Sequence, residues 1–117
     1  MIVKVKPNER ITIMYQQLPT EVIDDKIIVE LPSDFSGMSV DRYREQFDSL
    51  ANTHQDNIVL NFNKTEFIDS SGIGAMVFLF KRIEQRGVNM QLLKVNGQPR
   101  KLMTLLRVDL TIDFIDE

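Results

Sequence analysis

The chain contains no cysteine, which removes disulfide staples and thiolate metal sites. Histidine occurs once, as His54 in a polar stretch before a strand, where a solvated loop side chain is the simple expectation. No apolar run approaches the roughly 18 residues of a membrane-crossing helix. The opening Met1-Ile2-Val3-Lys4-Val5-Lys6 alternates apolar and charged residues and has no signal-peptide core. Neither charge sign dominates: 14 Lys and Arg stand against 17 Asp and Glu, for a net charge of −3 without a basic run. That leaves no electrostatic footprint for nucleic acid. There is no repeat, low-complexity tract or linker. We therefore expect a cytoplasmic protein with no nucleic-acid and no membrane partner. Its 117 residues can enclose one modest core but not two.

What is present alternates between strand and helix. Ile2 to Lys6 and Arg10 to Tyr15 are β-prone around a turn at Pro7-Asn8. Glu21 to Leu31 reads as a hairpin about Asp24-Asp25-Lys26, ended by Pro32. Ser33 to Ser39 is a polar loop, with Ser39 placed to cap a helix whose inner face is Val40, Tyr43, Phe47, Leu50 and Ala51. Asn57 to Phe62 reads as a strand in the sheet centre. A helix follows from about Gly72 to Arg86, stopped by Gly87 at C′. Met90 to Val95 is a strand. Pro99 suits the first turn of a further helix with Leu102, Leu105 and Leu106 inward. Thr111 to Ile115 closes the chain as a strand. This order predicts an α/β domain with helices packed on a sheet through right-handed crossovers. Function then gathers in loops at the carboxyl ends of strands, here Ser33 to Ser39 and Asp69 to Gly74.

The run Phe67-Ile68-Asp69-Ser70-Ser71-Gly72-Ile73-Gly74 carries the most chemistry. Gly72-Ile73-Gly74 opens a helix after a strand, but Val77 stands where a dinucleotide fingerprint needs its third glycine. A P-loop lysine is also missing. Neither serine has the flanking glycines of a nucleophile elbow, and no base is at hand to activate a hydroxyl. No acidic or imidazole cluster has the spacing of a metal site or of two-carboxylate hydrolysis. The expectation is no enzyme, no cofactor and no metal. Two readings of Ser70 stay open: a plain helix N-cap, or an acceptor of a phosphoryl group, which helix N-termini favour.

The strand Ile58-Val59-Leu60-Asn61-Phe62, the Asp-Ser-Ser-Gly-Ile-Gly run and the helix after it closely resemble the STAS domain family. Within it they look like the bacterial anti-sigma-factor antagonists. The Arg100-Lys101-Leu102-Met103 helix and closing strand match too. The resemblance implies an α/β fold of STAS type: a sheet of mixed strands with helices packed on it, and a phosphorylatable serine at the N-terminus of the second helix. It covers residues 21–117, with 1–20 as an N-terminal extension that adds strands or an edge for weak self-association.

By position the phosphoacceptor is Ser70, with Ser71 secondary and Asp69 flanking. The implied partners are an anti-sigma factor that is also a serine kinase of GHKL type, and a PP2C-type serine phosphatase. The unphosphorylated form binds the kinase and frees the sigma factor. The family alternatives are a STAS regulator in a two-component-linked or multiprotein pathway without a sigma factor, and a nucleotide-binding STAS domain. Two positions depart from the family pattern. Ser36 stands where an aspartate is usual, with Asp34 nearby to supply charge, and Arg107 stands where a glycine is frequent.

On a helical wheel, Ile73, Met76, Val77, Phe80 and Ile83 share the inner face. Phe78 falls opposite with Gly74, Lys81, Arg82 and Gln85, an apolar group beside two cations. The expected partner-binding set is Asp69, Ser70, Ser71, Gly72, Gly74, Phe78, Asp34 and Ser36.

Overall fold

The computed structural model of the chain describes residues 2–3, 12–13 and 17–116. Strand β1 (Ile2–Val3) pairs antiparallel with β2 (Thr12–Ile13). The expected Pro7-Asn8 turn and the remainder of those two segments lie outside the described residues. Strands β3 (Thr20–Ile23) and β4 (Lys26–Glu30) form the expected hairpin. Its turn sets Asp24 at φ 54, a left-handed conformation that aspartate tolerates in short hairpin loops.

The short β5 (Asp34–Phe35) precedes two helices, α1 (Gly37–Arg42) and α2 (Arg44–Leu50). Next come β6 (Asn57–Asn61), the short β7 (Phe67–Ile68) and the long α3 (Ser70–Glu84). The chain continues through β8 (Asn89–Leu93), α4 (Gly97–Leu105), a 3-10 turn over Val108–Leu110 and β9 (Asp113–Ile115).

The main sheet runs β3-β4-β6-β8-β9, antiparallel at β3-β4 and parallel elsewhere. Each parallel neighbour is thus reached by one helical crossover. As expected, β6 is central, and its Ile58, Val59 and Leu60 are all buried, as suits a strand paired on both sides. The register sets Val29, Leu60 and Leu92 in one row. That row faces the core built with Phe47 and Leu50 of α2, Met76, Leu79 and Ile83 of α3, and Met103 of α4.

Helix α3 ends as its sequence proposes. Gly87 sits at φ 75, its N–H bonds to the Glu84 carbonyl at 3.1 Å, and the Val88 N–H reaches the Ile83 carbonyl at 3.1 Å. This pair of bonds is a Schellman stop with Gly87 at C′.

Three expectations need correction. The helix after Ser33–Ser39 is two pieces joined at Tyr43, and its N-cap is Ser36 rather than Ser39. The helix beginning at Ser70 is therefore third in the chain. Residues 34–35, expected in a loop, instead form β5, which pairs parallel with β7 in a second small sheet. Finally, Leu105 and Leu106 do not face inward: they are 76% and 52% exposed, while Met103 is buried. Leu105 lies about 200° around the helix from the buried Met103 and so points away from the sheet, and Arg107, with φ 62 and ψ 29, turns the chain left-handed only after both leucines. A non-glycine residue bears roughly 1 kcal/mol of strain in that conformation.

Candidate functional site

The two loops singled out from sequence meet at the carboxyl ends of β4 and β6. The β5–β7 pair holds them together, with Asp34 opposite Phe67 and Phe35 opposite Ile68. The Ser33 carbonyl accepts the N–H groups of Glu66 at 2.8 Å and Phe67 at 3.1 Å. On the other side, Gln98 at the start of α4 clasps Ile68 at two points. Its Oε1 accepts the Ile68 N–H at 2.9 Å, and its Nε2 donates to the Ile68 carbonyl at 2.8 Å. A side-chain amide here takes the place of a neighbouring strand and satisfies both backbone groups. The Ile68 side chain is fully buried, so the residue leading into Asp69 is fixed from three directions.

Helix α3 then begins with a cap. The carboxylate of Asp69 accepts the N–H of Ser71 at 2.9 Å and of Gly72 at 3.1 Å through one oxygen, Oδ1. Such a cap stabilises a helix by about 1 kcal/mol, and its negative charge suits the positive end of the helix dipole. Ser70 is thus not the N-cap, and the capping reading of this serine is overturned. It is the first residue of α3, and it is exposed. Ser71 is exposed as well.

The two glycines of the motif differ. Gly72 is buried, and a Cβ there would lie 2.2 Å from the Phe35 carbonyl oxygen and 2.7 Å from Ile68 Cγ1. Its place in the motif follows from the close approach of α3 to β5, and it is buried beneath the exposed Ser70 and Ser71. Gly74 is exposed, and a Cβ there would meet nothing within 4 Å. Packing among the described residues gives no reason for a glycine at this position.

Between α1–α2 and α3 runs an open groove of about 830 Å³. Met38, Val40 and Phe47 line one wall, and Ala75, Phe78 and Leu79 line the other, with Ser71 at the edge. Under it the Phe35 and Phe47 rings stack with centroids 5.6 Å apart. Phe78 points outward as the wheel indicates, 63% exposed, and Met38 is 85% exposed. Arg82 lies over the Phe78 ring at 5.5 Å and bonds Asp48 of α2 at 2.8 Å. This contact ties the two walls together. The inner face of α3 includes Leu79, which the wheel omitted, while Val77 and Phe80 are only partly buried.

The remaining expected residues also gather here. The Ser36 hydroxyl donates to the Asp34 carboxylate, so these two act as one unit beside the Ser70 corner. His54 is exposed, as expected. Among the described residues no three His, Cys, Asp or Glu side chains converge as metal ligands would, and no helix is long and apolar enough to cross a membrane. Sequence reasoning missed Gln98, Met38 and the Arg82–Asp48 tie. Their partners are 30 or more residues away or on another helix, and no local pattern announces them.

The sequence matches the STAS domain family over residues 17–117. An anti-sigma F factor antagonist of Paenibacillus polymyxa is 31% identical over 80 residues, which is 68% of this chain and 68% of that protein. Among solved structures, an anti-sigma-factor antagonist (STAS) domain protein from Planctomyces limnophilus superposes with a TM-score of 0.80 at 15% identity, covering 87% of this chain and 92% of its own. The Bacillus cell fate determinant SpoIIAA in its phosphorylated form gives a TM-score of 0.66 at 20% identity, covering 86% of this chain and 92% of its own. These two structural likenesses speak to the fold.

Proposed function

The chain belongs to the STAS domain family, and within it we propose that it is an anti-sigma-factor antagonist whose binding is switched by phosphorylation of Ser70. One observation carries the reading: Asp69 takes the capping role, leaving the Ser70 hydroxyl exposed at the first position of α3. The curated relative from Paenibacillus polymyxa is an antagonist of an anti-sigma factor, and a structural neighbour has been seen phosphorylated.

In this reading the unphosphorylated domain docks on an anti-sigma factor that is a GHKL-type serine kinase, and the sigma factor is released. The protein acts as substrate and not as enzyme. Ser70 Oγ attacks the γ-phosphorus of the kinase-bound ATP, the β–γ bridging bond breaks and ADP leaves. The hydroxyl proton passes to a base of the kinase. The phosphoryl group brings roughly −1.5 to −2 charges to the positive end of α3, which tolerates them. The docked partner does not, because Asp69 already places a carboxylate at the same corner. A PP2C-type phosphatase hydrolyses the ester and resets the switch.

The test is incubation with the kinase and ATP, followed by mass spectrometry of the wild type and Ser70→Ala. One phosphate on the wild type and none on the variant is the expected result. Equal phosphate on both would refute Ser70 as the acceptor, and phosphate moved to Ser71 would be read from the fragment masses.

Phe78 and Met38 present the apolar face of the groove to that partner. A buried aromatic anchor typically carries about 2 kcal/mol or more of a binding energy, so Phe78→Ala is expected to weaken kinase binding roughly 30-fold. The fold should hold, since Phe78 is exposed. Titration calorimetry with an unchanged affinity would remove Phe78 from the docking surface.

A further inference from the structure

The chain has no cysteine, so the thioethers of methionine are its only sulfur atoms. The described methionines fall into two groups. Met76, Met90 and Met103 are 0%, 4% and 0% exposed and belong to the core. Met38 is 85% exposed. It is the second residue of α1 and follows Gly37, which sits at φ 43. An oxidant in solution reaches an exposed thioether and is kept from a packed one. Among the described residues, Met38 is therefore the methionine open to oxidation.

Its position gives the reaction a consequence. Met38 lines the groove on the same wall as Val40 and Phe47, with Phe78 on the other wall. A flexible, apolar thioether suits a surface that a partner's apolar groups will cover. With hydrogen peroxide, a lone pair on Met38 Sδ attacks one peroxide oxygen and the O–O bond breaks. The sulfur loses two electrons and becomes a sulfoxide. The second oxygen leaves as water and carries both hydrogens. The new oxygen is a strong acceptor. Covered by an apolar surface, it loses its water and gains no donor, which costs affinity. The fold bears none of that cost, because Met38 stands outside the core cluster.

We propose that Met38 is an oxidation site, and that its sulfoxide weakens docking independently of Ser70. The inference rests on the groove being the docking surface in the function proposed above. The switch would then answer to peroxide as well as to a kinase, and methionine sulfoxide reductases would reset it.

The full chain is treated with hydrogen peroxide, desalted and mapped by peptide mass spectrometry before any kinase is added. Met38 should gain one oxygen while Met76, Met90 and Met103 gain none, with the melting temperature unchanged. Calorimetry with the kinase should then read an affinity weakened roughly tenfold. Treatment with the two sulfoxide reductases should restore it. Met38→Leu has no thioether at this position, and whatever its starting affinity, peroxide should not change it. Oxygen entering the core methionines as readily as Met38 overturns the proposal. So does an oxidised wild type with unchanged affinity, or a Met38→Leu protein that peroxide weakens as much as the wild type. Untreated wild type that fails to bind the kinase would instead refute the docking reading, and this inference with it.

Discussion

Gly72→Ala is expected to destabilise the domain by about 3 kcal/mol, the upper range for forcing an extra group into packed space. The added Cβ would lie 2.2 Å from the Phe35 carbonyl oxygen, a backbone atom, and 2.7 Å from Ile68 Cγ1. Neither neighbour can give way easily. Phe35 is paired to Ile68 in the small sheet, and Ile68 is clasped by Gln98. For a chain of this size the loss is a fall of roughly 10–20 °C in melting temperature.

The same substitution two residues along provides the control. At Gly74 a Cβ meets nothing within 4 Å, so Gly74→Ala is expected to raise stability by up to about 1 kcal/mol, the helix-propensity difference between the two residues. Opposite signs from one chemical change on one helix would separate packing from propensity. Two similar melting curves would show that α3 does not approach β5 as described. Because nothing among the described residues requires a glycine at 74, a drop in partner affinity on Gly74→Ala would assign that glycine to the docked complex.

Phosphorylation of Ser70 is expected to leave the melting temperature within a few degrees of the unmodified protein while lowering kinase affinity by roughly 30- to 1,000-fold. That range corresponds to the several kcal/mol that like charge costs at an interface. The contrast follows from geometry. Ser70 is exposed at the first position of α3, so a phosphoryl group there displaces no packed side chain. Calorimetry of the purified phosphoprotein, alone and with the kinase, reads both quantities. Ser70→Asp should shift affinity in the same direction by less, since it supplies a single charge and fewer acceptor oxygens. A large fall in melting temperature on phosphorylation would instead mean that the switch works by loosening the fold.

Much of the fold was readable from local chemistry. The run Ile58-Val59-Leu60 has the uniform apolar character of a central strand and is one. The Asp24-Asp25 turn and the Gly87 stop follow from residues with few alternatives. Where reading failed, the signal was short or non-local. Two-residue strands such as β5 and β7 have no period to detect. Asp69 and Ser70 are both good cap formers, and only the hydrogen bonds decide that the aspartate takes the role. The leucines of α4 follow helical spacing well enough to suggest an inner face. With only nine residues in that helix, Met103 could claim the core instead, which leaves Leu105 on the far side of the helix. The motif marked the corner that β5, β7 and Gln98 hold together, and the wheel marked Phe78 as outward-facing. The walls of the groove depend on how three helices come together, which no single segment encodes.

The clasp of Gln98 on Ile68 and the grip of Ser33 on Glu66 and Phe67 bear on how the proposed kinase would recognise this serine. The residues that hold the corner in shape come from distant stretches of the chain, before and after the motif. Cut out as a short peptide, Asp69-Ser70-Ser71-Gly72 would keep its letters and lose its form. In the proposed switch, the address that would direct a phosphoryl group to Ser70 is thus spelled in three dimensions, which would let one domain be told apart from any unstructured stretch carrying the same four residues.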